Sequence, residues 1–158
     1  MAEKMGISWE LKYKFAMGIY ASGYKRWLYA IREEYGAAAA LKMFERVCKM
    51  DDTMKSFTKS ILTTFKLEGN DAETIANWWA IWFEIIGTEY SVLECSKAIS
   101  RLKITKCTFK TEPKDLCDWD LIFSNIVVKA INPKAVFYEP KRMCAGDPYC
   151  EFVNKIEE

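Results

Sequence analysis

The sequence predicts an α+β fold: N-terminal helices packed on a small antiparallel sheet that ends in a C-terminal β-hairpin. Three observations carry this. Between residues 8 and 87 apolar side chains recur every three or four positions, the helical period. From Thr88 the period falls to about two, the signature of half-buried strands. At the end of the chain, Val136–Tyr138 and Tyr149–Phe152 are short β-branched and aromatic segments separated by the turn residues Gly146-Asp147-Pro148. Four helices, two strands, one helix and two strands in that order suit a single α+β domain.

The 158 residues fit one domain, 1–158, with a helical half at about 8–87 and a strand-rich, cysteine-containing half at about 88–156. Apolar residues make up 51% of the chain, enough for a substantial core, and 23 basic against 22 acidic residues leave no charge excess to attract a polyanion. Nucleic acid is therefore not expected as a partner. The polar start Met1-Ala2-Glu3-Lys4-Met5-Gly6 lacks a signal-peptide core, and no run is apolar enough to span a bilayer, so a cytoplasmic protein with no membrane partner is expected. In that compartment six cysteines read as free thiols or metal ligands. The chain has no histidine, which removes Ser-His-Asp triads, Cys-His pairs and every His-bound metal.

Ser8 caps a first helix starting near Trp9, with Leu11, Phe15, Ile19, Tyr20, Tyr24, Trp27, Leu28 and Ile31 on its apolar side and Gly36 as its stop. Ala37–Ala40 open a second, on which Leu41, Phe44, Val47 and Cys48 form a stripe, and Cys48 reads as a small core residue. Asp51 or Asp52 caps a third, with Met54, Phe57, Ile61, Leu62 and Phe65 inward and an end near Leu67. Asn70 or Asp71 begins a fourth, closed by Gly87, in which Ile75, Trp78, Trp79, Trp82 and Ile86 give the strongest periodic signal in the chain. The tryptophans read either as core against the sheet or as the wall of a ligand pocket formed by Trp78, Trp79 and Trp82, where a small flat ligand can stack.

Tyr90, Val92 and Leu93 read as a strand, Lys97–Ser100 as a connection, and Leu102-Lys103-Ile104 as the antiparallel partner running on to Cys107. Cys107 falls out of phase with Leu102 and Ile104 and is expected to face away from them. Thr111 or Glu112 with Pro113 starts a fifth helix that runs to about Ile131 and is ended by Asn132-Pro133. Cys117 then sits in its first turn or two, where the positive helix end favours a thiolate. In the hairpin, Cys144 and Cys150 flank the turn and Glu139 ends the first strand. Metal or catalytic use, a Cys144–Cys150 disulfide and two ordinary thiols all stay open for that pair. Cys107, Cys117, Cys144 and Cys150 all fall at element ends and are expected to share one neighbourhood that excludes Cys48 and Cys95.

Leu116-Cys117, Ile131-Asn132-Pro133 and Gly146-Asp147-Pro148-Tyr149-Cys150-Glu151-Phe152, with Cys107 in Thr105-Lys106-Cys107, resemble the C-terminal half of the L-2-amino-thiazoline-4-carboxylic acid hydrolase-like family. The glycine-aspartate-to-cysteine ending also resembles the 4-vinyl reductase domain, a small-molecule-binding and sensory module. The resemblance covers roughly residues 88–156. In the vinyl reductase domain it implies a metal, usually zinc, on positions matching Cys117, Glu139 and Cys150. The remaining thiol of that pattern would fall at Arg142, and here Cys144 lies two residues later.

The site residues expected from this reading are Cys117, Glu139 and Asp147 for catalysis and Cys107, Cys117, Glu139, Cys144 and Cys150 for a metal, with zinc as the candidate cofactor. The resemblance implies a hydrolase that opens the C–N/C–S ring of a small heterocyclic amidine or thioether of thiazoline-carboxylate type. The alternative is a ligand-binding or sensory module with a structural zinc site. Either way the expected partner is a small-molecule ligand, with self-association into a homo-oligomer left open.

Overall fold

A computed structural model of the chain describes residue 23, residues 26–107 and residues 114–157. The predicted start of the first helix and its positions Ser8 to Tyr20 and Tyr24 lie outside these residues, as do Thr111, Glu112 and Pro113. Residues 26–35 are helical (α1), followed by α2 (Ala37–Lys49), α3 (Thr53–Thr64) and α4 (Ala72–Ile86). Strands β1 (Glu89–Cys95) and β2 (Ile99–Lys106), helix α5 (Trp119–Ile131), and strands β3 (Ala135–Lys141) and β4 (Cys150–Ile156) complete the described fold. The four strands form one sheet in the order β1-β2-β4-β3, antiparallel throughout. The predicted α+β class and the two hairpins are therefore present.

Helix α4 is specified at both ends. The Asp71 carboxylate accepts the Thr74 backbone N–H at 2.9 Å, and Gly87 takes the left-handed conformation (φ 71°) that lets its N–H close on the Phe83 carbonyl. Between these caps the apolar stripe lies across the sheet. Trp79 contacts Phe137 and Phe152, and its indole Nε1 donates to Asn154 Oδ1 at 3.2 Å, while Asn154 Nδ2 donates to Ser100 Oγ. Asn154 is fully buried, and these two bonds satisfy its amide, so the helix is pinned to the two central strands through a polar contact inside an apolar layer.

Trp78 turns the other way, because neighbours on a helix point about 100° apart. Its Nε1 donates to the Thr58 carbonyl of α3 at 3.2 Å and its ring meets Phe57 edge-on. α3 and α2 then pack on α5, whose Val127, Val128 and Ile131 are buried.

Several predicted boundaries shift. Helix α3 ends at Thr64 rather than Leu67, and its N-cap Asp52 sits at φ 51° with its carboxylate paired to Lys55 (2.8 Å) instead of capping the helix. Ser100 belongs to β2, where it pairs with Asn154 of β4. Helix α5 starts at Trp119, after a short turn at Lys114–Leu116, so Cys117 precedes the N-cap Asp118 and is not in the first turn. The β3–β4 connection is a turn at Met143–Ala145 entered after a bulge between Tyr138 and Lys141. The bulge carries Glu139 and Pro140 on an edge strand, where a residue without an N–H costs no ladder bond.

Candidate functional site

Four elements converge on a small cavity of about 30 Å³. From α4 come Trp79, Trp82, Phe83 and Ile86, from β2 and the residue beyond it Ile104 and Cys107, and from β4 Cys150 and Phe152. The first residues of α5, Trp119 and Asp120, close the remaining side. Trp119 stacks obliquely on Phe123, which also meets Trp79 and Trp82, so the aromatic wall is continuous. Asp120 is the one acidic group on a lining that is otherwise apolar and thiol apart from Thr88, and it is half-buried.

Behind the cavity lies a charged cluster. Asp120 meets Glu139, whose side chain is 2% exposed and which follows Ala135 and Phe137 on the helix-facing side of β3. Two carboxyls that touch share a proton, since burial and mutual repulsion both oppose a second negative charge. Burial pushes both upward, Glu139 the more strongly because the Asp120 charge adds to it. Arg142 supplies the counter-charge: its Nε lies 2.9 Å from Glu139 Oε2 and its Nη1 donates to Asp118 Oδ1 at 2.7 Å. Burial opposes the guanidinium charge, but Asp118 and Glu139 outweigh it and hold Arg142 protonated. Glu139 Oε1 and Arg142 Nη2 are buried without an aligned hydrogen-bond partner.

Of the residues expected from sequence, Cys107, Cys117, Glu139, Cys144 and Cys150 come together around this cluster. Cys150 accepts the Met143 N–H on its sulfur at 3.3 Å, and the Cys117 and Cys144 thiols hydrogen-bond to each other. Cys48 is buried in the helical layer, and Cys95 is exposed at the opposite end of the β1–β2 hairpin from Cys107. The expected orientation of Cys107 is corrected: β2 ends at Lys106, and freed from the strand's alternation Cys107 lines the same cavity as Ile104. The expected low-pKa Cys117 is corrected as well. It stands before the helix rather than in it, and burial, then the bond to Cys144, push its thiol up. Burial likewise raises Cys150 to about 11.

Trp78 does not line the cavity, for the directional reason given above. Trp79 and Trp82 do, Trp82 being half-buried. The Asp147 carboxylate accepts the Arg142 backbone N–H at 2.8 Å, a bond that folds the turn back on itself. Asp120 is the site residue that sequence reading missed. An acid in a first helical turn usually complements the helix dipole at the surface; the available signal was its place between Trp119 and the all-apolar run Leu121-Ile122-Phe123.

The zinc site implied by the resemblance does not fit these residues. Among the described residues no group of three or more cysteine and carboxylate side chains is arranged to hold a metal ion. Arg142, at the position where that pattern has a thiol, brings a fixed positive charge against Glu139.

No protein-family model matches the chain, and no curated sequence matches it. Solved structures do. The chain is similar to trafficking protein particle complex subunit 3 from Naegleria fowleri, solved covalently bound to palmitic acid, with a TM-score of 0.65 and 16% identity over 92% of this chain and 97% of that one. It is also similar to the phenol-responsive sensory domain of the transcription activator PoxR, solved with phenol, with a TM-score of 0.58 and 11% identity over 89% of this chain and 74% of that one. This chain shares their fold. Among the described residues no helix is long and apolar enough to cross a membrane.

Proposed function

We infer that the protein is a small-molecule-binding module of the ligand-sensing kind, taking a small, flat, largely apolar ligand against the aromatic wall of α4 and presenting Asp120 to its polar group. The observation that carries this reading is the single acidic group on an aromatic cavity, since few well-placed polar groups in an apolar lining are what orient a small ligand. The shared fold with a sensory domain solved with phenol supports it. A cavity of about 30 Å³ has room for roughly one water, so a ring-sized ligand enters as the half-buried Trp82 indole moves outward. Tryptophan emission therefore reports binding. Titration with phenol as the probe is expected to change that emission saturably, and Asp120→Asn and Trp82→Ala are expected to weaken the response at least several-fold. A linear, non-saturating response identical in both variants would overturn the reading.

A second reading is a hydrolase acting on a heterocyclic amidine or thioether of thiazoline-carboxylate type. The acid pair favours it: the protonated member can give a proton to a ring nitrogen while the ionised member takes one from water. Cys117, with its thiol held protonated, contributes less readily as a nucleophile. Incubation with 2-amino-thiazoline-4-carboxylate tests it, with ring opening lost in Glu139→Gln.

A further inference from the structure

The chain entering α5 and the turn between β3 and β4 meet through three successive side-chain contacts that run in opposite directions along the two segments. Cys117 hydrogen-bonds to Cys144, Asp118 pairs with Arg142 at 2.7 Å, and Asp120 meets Glu139. The second and third contacts are replaceable in kind, but the first is a thiol against a thiol, both half-buried and free. The sequence directs attention to Cys144 with Cys150, six residues apart across a turn. In the structure Cys150 instead accepts a backbone N–H and lies against the cavity, and the thiol that Cys144 engages is Cys117.

We propose that Cys117 and Cys144 are an oxidation site, closing to a disulfide under a hydroperoxide and thereby locking the segment that enters α5 to the β3–β4 turn. Cys144 places its sulfur near Cys117 and the Arg142 guanidinium. Its thiolate attacks one peroxide oxygen, the O–O bond breaks, and the products are a sulfenic acid on Cys144 and hydroxide, which takes up a proton to give water. Cys117 then attacks the Cys144 sulfur; the S–S bond forms, the S–O bond breaks, and the hydroxyl leaves as a second water with the Cys117 proton. In sum two thiols lose two hydrogens and one peroxide is reduced to two waters. The closed ring spans residues 117–144, all of α5 and β3, and its anchor at 117 is two residues from the cavity wall at Trp119. Oxidation would therefore fix the α5 side of the cavity, at Trp119 and Asp120.

The test uses the full chain with the exposed Cys95→Ser substitution to suppress cross-linking between molecules. Hydrogen peroxide treatment, alkylation of remaining thiols under denaturing conditions and peptide mass mapping are expected to show a loss of about 2 Da assigned to one bridge between the peptides holding Cys117 and Cys144. The bridge should vanish in Cys117→Ser and in Cys144→Ser and persist in Cys107→Ser and Cys150→Ser, with a raised melting temperature in the bridged protein. A bridge that includes Cys150 or Cys107, or oxidation of single thiols to sulfinic acid with no bridge, would overturn the proposal. The mapping on the parent chain decides this even if a serine variant fails to fold.

Discussion

Asp120 and Glu139 meet carboxyl to carboxyl, one from the first turn of α5 and the other from β3, and burial raises the proton affinity of both. That raised affinity has a measurable consequence. Carboxyls raised above their unfolded values bind more protons in the folded chain than in the unfolded one, so their contribution to stability is complete at low pH and is lost as pH rises through the raised values. Between about pH 5 and pH 8 the stability of the wild type should fall by up to about 1.4 kcal/mol per pH unit for the one extra proton. Glu139→Gln, which keeps the shape and a donor toward Asp120, should flatten that slope. Urea denaturation at a series of pH values measures it; equal slopes in both proteins would show that the pair does not share a proton.

Arg142 gives Glu139 its counter-charge while remaining one-fifth exposed. Arg142→Met should destabilise by about 3 kcal/mol, the low end of what breaking a buried pair costs, and the loss should shrink as pH falls through about 6 and Asp120 takes up its proton, leaving the carboxyl pair neutral. Chemical denaturation at acidic and neutral pH checks both parts.

The tryptophans of α4 should separate by direction. Trp79→Ala removes a fully buried ring and the partner of Asn154, for an expected loss of about 3–5 kcal/mol. Trp79→Phe keeps most of the packing but orphans Asn154 Oδ1, at about 1–3 kcal/mol. Trp82→Ala, at a half-buried position on the cavity, should lose only about 1–2 kcal/mol while changing ligand response most. Equilibrium unfolding of the three variants ranks them.

What the sequence made legible follows from where one local rule sufficed. Helix α4 announced itself because Asp71, Gly87 and a period-four tryptophan stripe all agree, and the closing hairpin because Gly146-Asp147-Pro148 separates two strand-like segments. The gathering of Cys107, Cys117, Cys144 and Cys150 was legible from their places at element ends. Their chemistry was not, because it depends on burial: moving Cys117 ahead of the helix start turned an expected thiolate into a protonated thiol. Cys107 escaped the strand's alternation by lying one residue beyond it. Asp120 and Arg142 resisted reading for a different reason. Each is an ordinary surface residue type by sequence, and only the packing of the start of α5 against the end of β3 brings them to Glu139.

Because Arg142 occupies the neighbourhood that the zinc-binding pattern would give to a thiol, chelation should leave the fold untouched. Treatment with EDTA is expected to change the melting temperature by no more than about 1 °C, within the effect of a fraction of a kcal/mol. A drop of several degrees, restored by zinc, would return the thiols to a ligand role.

The most direct test of ligand binding at the Asp120 cavity is a backbone and indole ¹H–¹⁵N spectrum followed through a phenol titration. Saturable shifts should concentrate at Trp119, Asp120, Cys150 and the Trp79 and Trp82 indole N–H groups, and they should weaken in Asp120→Asn. Unchanged spectra up to millimolar phenol, or shifts confined to the groove along Leu121, Ile122 and Ile126 on the other side of α5, would contradict the assignment of the cavity as the site.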